Sequence, residues 1–435
     1  MKRYDTPSEV SKVLARHCPQ QVNSLLDPSV GSGALVLPFL NKLGSNGVVT
    51  CVDLDASAIR DARNAIEQQG FTGKASFYNS CFLSWGNNRV RDKRHRYDVV
   101  VMNPPFAARN SELAVAPDAL VGLRGKYPKE VLFVRLGLEL LTPGGTLIAI
   151  VPSSVVLGEH SRWLRYELLT RGGIEYVREL PLRAFPGVES RFYIIVFRRD
   201  SRIGSTVLCN HDVEGKHRII VSRAEIITHD RLDFAYFESK KIVESVRTRV
   251  DAAWVALGKV ALISRGQIAS PDATRWCVHT TDFFDGFWRR HKRHRVSRDK
   301  HSKDVRIDTS DLLVARVGRN CSQNIGLCVN LNDFSLSDCV IRIRPTGKIS
   351  SIQVLFALRV LLGSVEVQHT LLRGTGAKFL RLDSLELLAF PTKLHRVFAE
   401  EFSRYKQFVA GRDFTAMEAL ERKVRAQLGF SDSGN

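Results

Sequence analysis

Short apolar runs alternate with amphipathic stretches through residues 1–200, and no other feature constrains the chain as much. Strands are expected at 24–26, 48–52, 76–78, 98–102, 146–151 and 192–197. Helices are expected at 8–17, 35–43, 56–69, 129–141 and 160–171. A strand whose successor follows only after a helix is not joined to it by a tight hairpin. The sheet must therefore be mostly parallel, with helices on both faces, an α/β arrangement of the Rossmann-like kind. Ligands of such sheets sit beyond the carboxyl ends of the strands.

Two loops fall at those ends. The first is Asp27-Pro28-Ser29-Val30-Gly31-Ser32-Gly33, which follows a strand and opens a helix. Its glycines let the backbone turn tightly and approach a ligand closely. About 20 residues on, Cys51-Val52-Asp53-Leu54-Asp55 ends the next strand, where an acidic side chain binds the ribose hydroxyls of an adenosine. The pair suits a dinucleotide site, but the third glycine of that fingerprint is missing, since Leu35-Val36-Leu37 follows. Asp27 also places a carboxylate where a pyrophosphate would be repelled and an amino-acid ammonium welcomed. S-adenosylmethionine carries both an adenosine and such an ammonium.

The second loop is Asn103-Pro104-Pro105-Phe106, directly after Tyr97-Asp98-Val99-Val100-Val101-Met102. Pro105 biases Pro104 away from helix and stiffens the turn. The Asn103 side-chain oxygen and the Pro104 carbonyl are two acceptors suited to an exocyclic amine. Phe106 offers a flat face for stacking a base. An ordinary strand-end turn uses the same dipeptides, so the loop gains its meaning from its surroundings.

Taken together, Tyr4-Asp5-Thr6-Pro7, the loop from Asp27 to Gly33, Asp53-Leu54-Asp55 and Asn103-Pro104-Pro105-Phe106 resemble the amino-methyltransferases that modify adenine N6 in DNA, in the order of the gamma class. Leu141-Thr142-Pro143-Gly144-Gly145-Thr146, Ile150-Val151-Pro152-Ser153-Ser154, and Glu179-Leu180-Pro181 leading to Phe185 agree. The resemblance covers residues 1–200 almost continuously. It implies S-adenosylmethionine as cofactor, held by Thr6, Asp27, Gly31, Gly33 and Asp53, with Cys81 and Phe82 at the adenine. It implies catalysis by Asn103, Pro104, Pro105 and Phe106, with Phe185 as a second aromatic wall. Two positions depart from the family. Cys81 stands where an Asp is common, and Phe106 where Tyr is commoner.

Beyond residue 200 the alternation fades. Residues 254–266, Asp311-Leu312-Leu313-Val314-Ala315-Arg316-Val317-Gly318 and Gly374-Thr375-Gly376 resemble target-recognition domains of type I specificity subunits and fused type II enzymes. Residues 394–427 are amphipathic and expected to be helical. The expected domains are thus 1–200 catalytic, 201–391 target recognition of α+β type, and 392–435 a terminal helix.

The net charge of +19 predicts attraction to a polyanion. Residues 289–303 hold eight Lys or Arg, three His and one Asp. Arg289, Arg290, Lys292, Arg293, Arg295 and Arg298 are the expected DNA contacts, although a solvated charged loop has the same composition. Arg89-Val90-Arg91-Asp92-Lys93-Arg94-His95-Arg96 is a second basic patch. Eight cysteines without any Cys-x-x-Cys pair argue against a zinc ribbon or a disulfide framework. No metal site is expected. No apolar run is long enough to span a bilayer and no signal peptide is evident, so a cytoplasmic location is expected. The expected partner is double-stranded DNA, bound by a monomer, with no membrane and with room for a separate nuclease or specificity partner. RNA bases, cytosine N4 and a protein glutamine amide remain alternative substrates. A DNA-binding module with an inactive catalytic domain is the non-enzymatic alternative.

Overall fold

The computed structural model describes residues 5–92, 96–106, 113–182, 184–185, 190–211, 217–266, 275–290, 294–296, 305–331, 334–347, 349–373 and 378–433. The chain divides into two compact units, Met1–Phe234 and Ala235–Asn435.

The first unit is built on one nine-stranded sheet. Its strands are β1 (Val22–Asp27), β2 (Leu43–Asp53), β3 (Lys74–Asn79), β4 (Tyr97–Met102), β5 (Leu141–Pro152), β6 (Gly172–Glu179), β7 (Phe192–Arg199), β8 (Ser205–Cys209) and β9 (Arg218–Ser222). They lie in the order β9-β8-β6-β7-β5-β4-β1-β2-β3. Pairing from β3 through β5 is parallel, while β7 runs antiparallel between β5 and β6. Near-continuous apolar runs explain the centre. Val99, Val100, Val101 and Met102 of β4 are fully buried, as are Leu147, Ile148, Ala149 and Ile150 of β5. Strands covered on both faces need no polar alternation.

Helices α1 (Ser8–Ala15), α2 (Ala56–Gln68), α3 (Phe82–Asp92), α4 (Lys129–Glu139) and α5 (Arg162–Arg171) accompany the sheet. In α2, Asp55 caps the start by accepting the Ser57 amide, and Ala58, Ile59, Ala62 and Ile66 form its buried stripe. The helix expected at 35–43 is instead a 3₁₀ segment, Leu37–Lys42, with Pro38 in its first turn, and Leu43 already belongs to β2. The first unit also runs past the expected boundary at 200. Ser205–Cys209 pairs in parallel with β6, and β9 then pairs back on it, so the sheet itself carries the chain onward.

The second unit is α+β. Strands β10 (Ala261–Arg265), β11 (Leu312–Ala315), β12 (Ile325–Leu327) and β13 (Val340–Pro345) form an antiparallel sheet in the order β10-β13-β11-β12. Beside it α6 (Phe234–Arg249), α7 (Ser351–Leu362), α8 (Ala399–Gly411) and α9 (Phe414–Leu428) supply helices. The expected single terminal helix is broken into a short turn, Leu394–Val397, followed by α8 and α9. Arg412 adopts the left-handed conformation at φ 56°, and Asp413 caps α9 through the Ala416 amide at 3.0 Å. Glu421 of α9 fixes the packing, accepting from Arg359 of α7 at 2.6 Å and from Tyr405 of α8 at 2.9 Å. The region expected as domain 201–391 plus helix 392–435 is therefore divided differently, because α8 and α9 pack within one core with the strands. Among the described residues no helix is long and apolar enough to cross a membrane.

Candidate active site

Four parallel strands end on one edge of the first unit, β1 at Asp27, β2 at Asp53, β3 at Asn79 and β4 at Met102. The loop after β1 is stitched to β2. Val30 donates to the Val52 carbonyl at 3.1 Å, and the Gly31 N–H donates to Asp53 Oδ2 at 2.9 Å. Gly31 and Gly33 have φ of 53° and 88°. A Cβ on Gly33 would also meet the Ala62 Cα of α2 at 3.3 Å, so conformation and space both require glycine there.

Asp27 is fully buried. Its Oδ1 accepts from the Ser29 amide at 2.9 Å, and its Oδ2 has no hydrogen-bond partner among the described residues. Burial pushes the carboxyl up to about 8; the Ser29 amide opposes this, and neighbouring Asp53 adds to it. A buried carboxyl with a raised pKa at a strand end is a candidate to hold a cation, whose charge would favour its ionised form. Asp53 accepts the Gly31 and Asp55 amides, each at 2.9 Å. A carboxylate retains further lone pairs for hydroxyl donors. Leu54, next to it, is 70% exposed and supplies an apolar face. Sequence reasoning passed over Leu54, although an apolar residue between two aspartates at a strand end is its signal. An ammonium acceptor, a diol acceptor and an apolar face on adjacent strand ends fit S-adenosylmethionine.

Cys81 is exposed just before α3. Phe82 does not face that space. Its ring is buried, 4.9 Å from Phe133 of α4 and 6.2 Å from Trp85, because the first turn of α3 presents it to the helix-packing side.

Asn103 stands one residue beyond β4. Its Nδ2 donates to Thr6 Oγ1 at 3.1 Å, and its backbone carbonyl accepts from Ser29 Oγ at 3.1 Å. Its Oδ1 is buried with no partner among the described residues. Thr6, expected at the cofactor, thus holds the Asn103 amide through its hydroxyl. The preceding residue, Asp5, accepts from Ser32 Oγ at 2.9 Å. The N-terminal segment therefore bridges both loops. Pro104 is buried, while Pro105 and Phe106 are partly exposed. Phe106 lies 4.4 Å from Phe192 and edge-on to Phe185 at 5.8 Å. Phe185 is 1% exposed, so it backs the Phe106 ring and presents no free face of its own.

The second unit holds the basic candidates. Arg289 and Arg290 are exposed after the hairpin formed by Phe283–Phe284 and Phe287–Trp288. The Arg289 guanidinium lies 4.5 Å over the Phe284 ring, and that of Arg290 lies 5.0 Å over Trp276. Arg295 lies in the strand His294–Val296, paired with Trp276. Lys292, Arg293 and Arg298, like Tyr4 and Gly374-Thr375-Gly376, lie outside the described residues. Replacing Arg289 and Arg290 by Gln is expected to weaken binding to a non-specific duplex. It is also expected to flatten the slope of log affinity against log salt by up to about two. A fluorescence anisotropy titration at several salt concentrations checks this, and an unchanged slope removes both residues from the interface.

The mixed sheet, its strand order and its paired acidic strand ends define a Rossmann-like, S-adenosylmethionine-dependent type of methyltransferase fold. The chain matches the N-6 DNA Methylase family over residues 2–233, more than half its length, and belongs to that family. It is 24% identical over 208 residues to the type II restriction enzyme and methyltransferase RM.BcgI of Heyndrickxia coagulans, covering 44% of this chain and 30% of that protein. It is 26% identical over 94 residues to a tRNA1(Val) (adenine(37)-N6)-methyltransferase of Histophilus somni, covering 22% of this chain and 38% of that one. The chain thus spans about a third of the length of these curated relatives. The type IIG restriction endonuclease BpuSI shares the fold, with a TM-score of 0.52 over 96% of this chain and 65% of that chain, at 13% identity.

Proposed function

We propose that the chain transfers a methyl group from S-adenosylmethionine to adenine N6 in double-stranded DNA, as the modifying activity of a restriction–modification or related defence system. The observation that carries this reading is the buried Oδ1 of Asn103, without a partner among the described residues, on a side chain held through Thr6 and a backbone joined by Ser29 to the loop of Asp27. When bound, the cofactor supplies a methyl already activated on a sulfonium. Asp27 receives its ammonium, Asp53 its ribose hydroxyls and Leu54 its adenine.

Adenine N6 is a poor nucleophile because its lone pair is delocalised into the ring. Asn103 Oδ1 and the Pro104 carbonyl accept the two N6 hydrogens, which draws the nitrogen toward a tetrahedral shape and aims its lone pair. These bonds strengthen as positive charge grows on N6, so they act on the transition state. Alignment supplies much of the remaining rate. The target must leave the duplex, at roughly a few kcal/mol. Stacking on Phe106 offsets about 1–3 kcal/mol of that cost.

The net charge of +19, the basic stretch 289–303 and a second unit beyond the catalytic one favour DNA over RNA or a protein amide. The test is expression in a host lacking adenine methylation, followed by nucleoside analysis of its DNA. N6-methyladenine is expected. N4-methylcytosine in its place would move the target to the other exocyclic amine. Unmodified DNA beside newly methylated tRNA would refute the proposal.

A further inference from the structure

One short hairpin of the first unit exposes three large apolar side chains. Leu113–Val115 pairs antiparallel with Lys126–Pro128. Leu113 is 57% exposed, Val115 66% and Val121, in the connecting turn, 87%. Leu113 stands opposite Pro128, and Val115 opposite Lys126, so these four share one face of the hairpin. The other face is anchored, with Tyr127 edge-on to Trp163 at 5.6 Å. The turn is anchored as well. Leu120 is buried, and the Ala119 amide donates to Asn87 Oδ1 of α3 at 2.9 Å. An isolated two-stranded hairpin is marginal in water, yet this one is tied down while its outer face and its tip carry apolar groups. Exposed apolar groups on an anchored hairpin suit contact with a partner.

Charge says what meets it. Arg124 and Lys126 flank the tip, are exposed, and take part in no ion pair among the described residues; Asp118 is the exposed carboxylate of the segment. Topology says where it sits. The hairpin follows the Asn103–Phe106 loop and leads straight into α4 at Lys129. Because α4 connects the parallel strands β4 and β5, it begins at the carboxyl edge of the sheet, where the candidate site lies.

We propose that this hairpin is a DNA wedge, with Val121 entering the stack at the gap left by the extruded base and Arg124 and Lys126 on the adjoining phosphates. This rests on the reading of the chain as a DNA adenine methyltransferase. An apolar side chain in the gap slows the return of the base, which helps only where extrusion is costly. A mismatch opposite the target already lowers that cost.

The test uses the full chain and the V121S variant. The recognition sequence is first taken from the adenines that the wild type methylates in the DNA of an expressing cell. Two synthetic duplexes follow, one fully paired and one mismatched opposite the target. V121S is expected to lose at least tenfold in kcat/KM on the paired duplex and less than twofold on the mismatched one. Equal losses on both duplexes, or no loss on either, would overturn the wedge while leaving the proposed activity standing. A wild type that methylates no DNA adenine would overturn both.

Discussion

Asn103→Ala is expected to abolish methyl transfer while leaving cofactor binding intact. The Asn103 Oδ1 is a buried acceptor with no donor among the described residues, whereas Nδ2 already donates to Thr6. In the folded chain without substrate, that oxygen is a cost, because it has lost water and gained no partner. Asn103→Ala removes that cost together with the Nδ2 bond to Thr6, so the two offset and the melting temperature should change by only a few degrees. In the transition state the same oxygen meets an amine that is gaining positive charge. Loss of one preorganised hydrogen-bonding group of this kind costs about a hundred- to a thousandfold in kcat. Asn103→Ala should fall by at least that much. Its affinity for S-adenosylmethionine, measured by calorimetry, should stay within about threefold, since the residues proposed to hold the cofactor lie at the ends of β1 and β2. A parallel loss of cofactor binding would show that Asn103 only braces the loop through Ser29.

Asp27→Asn is expected to stabilise the free protein and to weaken its hold on the cofactor. The sign follows from the raised carboxyl, at about 8 in the folded chain. Below the ordinary carboxylate range both folded and unfolded states are protonated, and Asp27 costs nothing. As pH rises toward 8 the unfolded chain releases the proton and the folded chain retains it, so the cost of burying this group grows. Above about 8 it is constant. A neutral isostere escapes that cost. The melting temperature of Asp27→Asn should exceed that of the wild type by several degrees at pH 8, and the gap should narrow as pH falls to 5. The same substitution removes the negative charge opposite the cofactor ammonium, with an expected loss of about a hundredfold in affinity. Stability gained where binding is lost marks a group kept for its ligand. A variant less stable than the wild type at pH 8 would mean that Asp27 is a structural turn residue.

The sheet was legible where strands are continuous apolar runs between turn residues, as in β4 and β5. It was not legible at β6, whose Gly172-Gly173 start resembles a helix terminus and whose charged residues Glu175, Arg178 and Glu179 break any simple alternation. The last two strands, β8 and the edge strand β9, are only five residues each and carry polar side chains, which is why the expected boundary fell short of Phe234. Helix α7 escaped for the opposite reason. Every residue from Val354 to Leu362 is buried, so it has no polar face to set a 3.6-residue period. Its capping box, Ser350 with Gln353, was the available sign. Asp27, Asp53 and Asn103 were legible as strand-end residues because each closes an apolar run. The pairing of Thr6 with Asn103 was not, since it joins residues 97 apart through the fold alone. Phe82 misled because an aromatic beside a strand end looks the same whether it faces a ligand or a neighbouring helix.

The most direct measurement is radiolabelled methyl transfer by the purified chain, offered plasmid DNA, total RNA and a protein extract in separate reactions with labelled S-adenosylmethionine. The account predicts label in DNA, recovered as N6-methyladenine, and its disappearance with Asn103→Ala. Label confined to RNA or protein, or DNA labelling that survives the loss of Asn103, would contradict it.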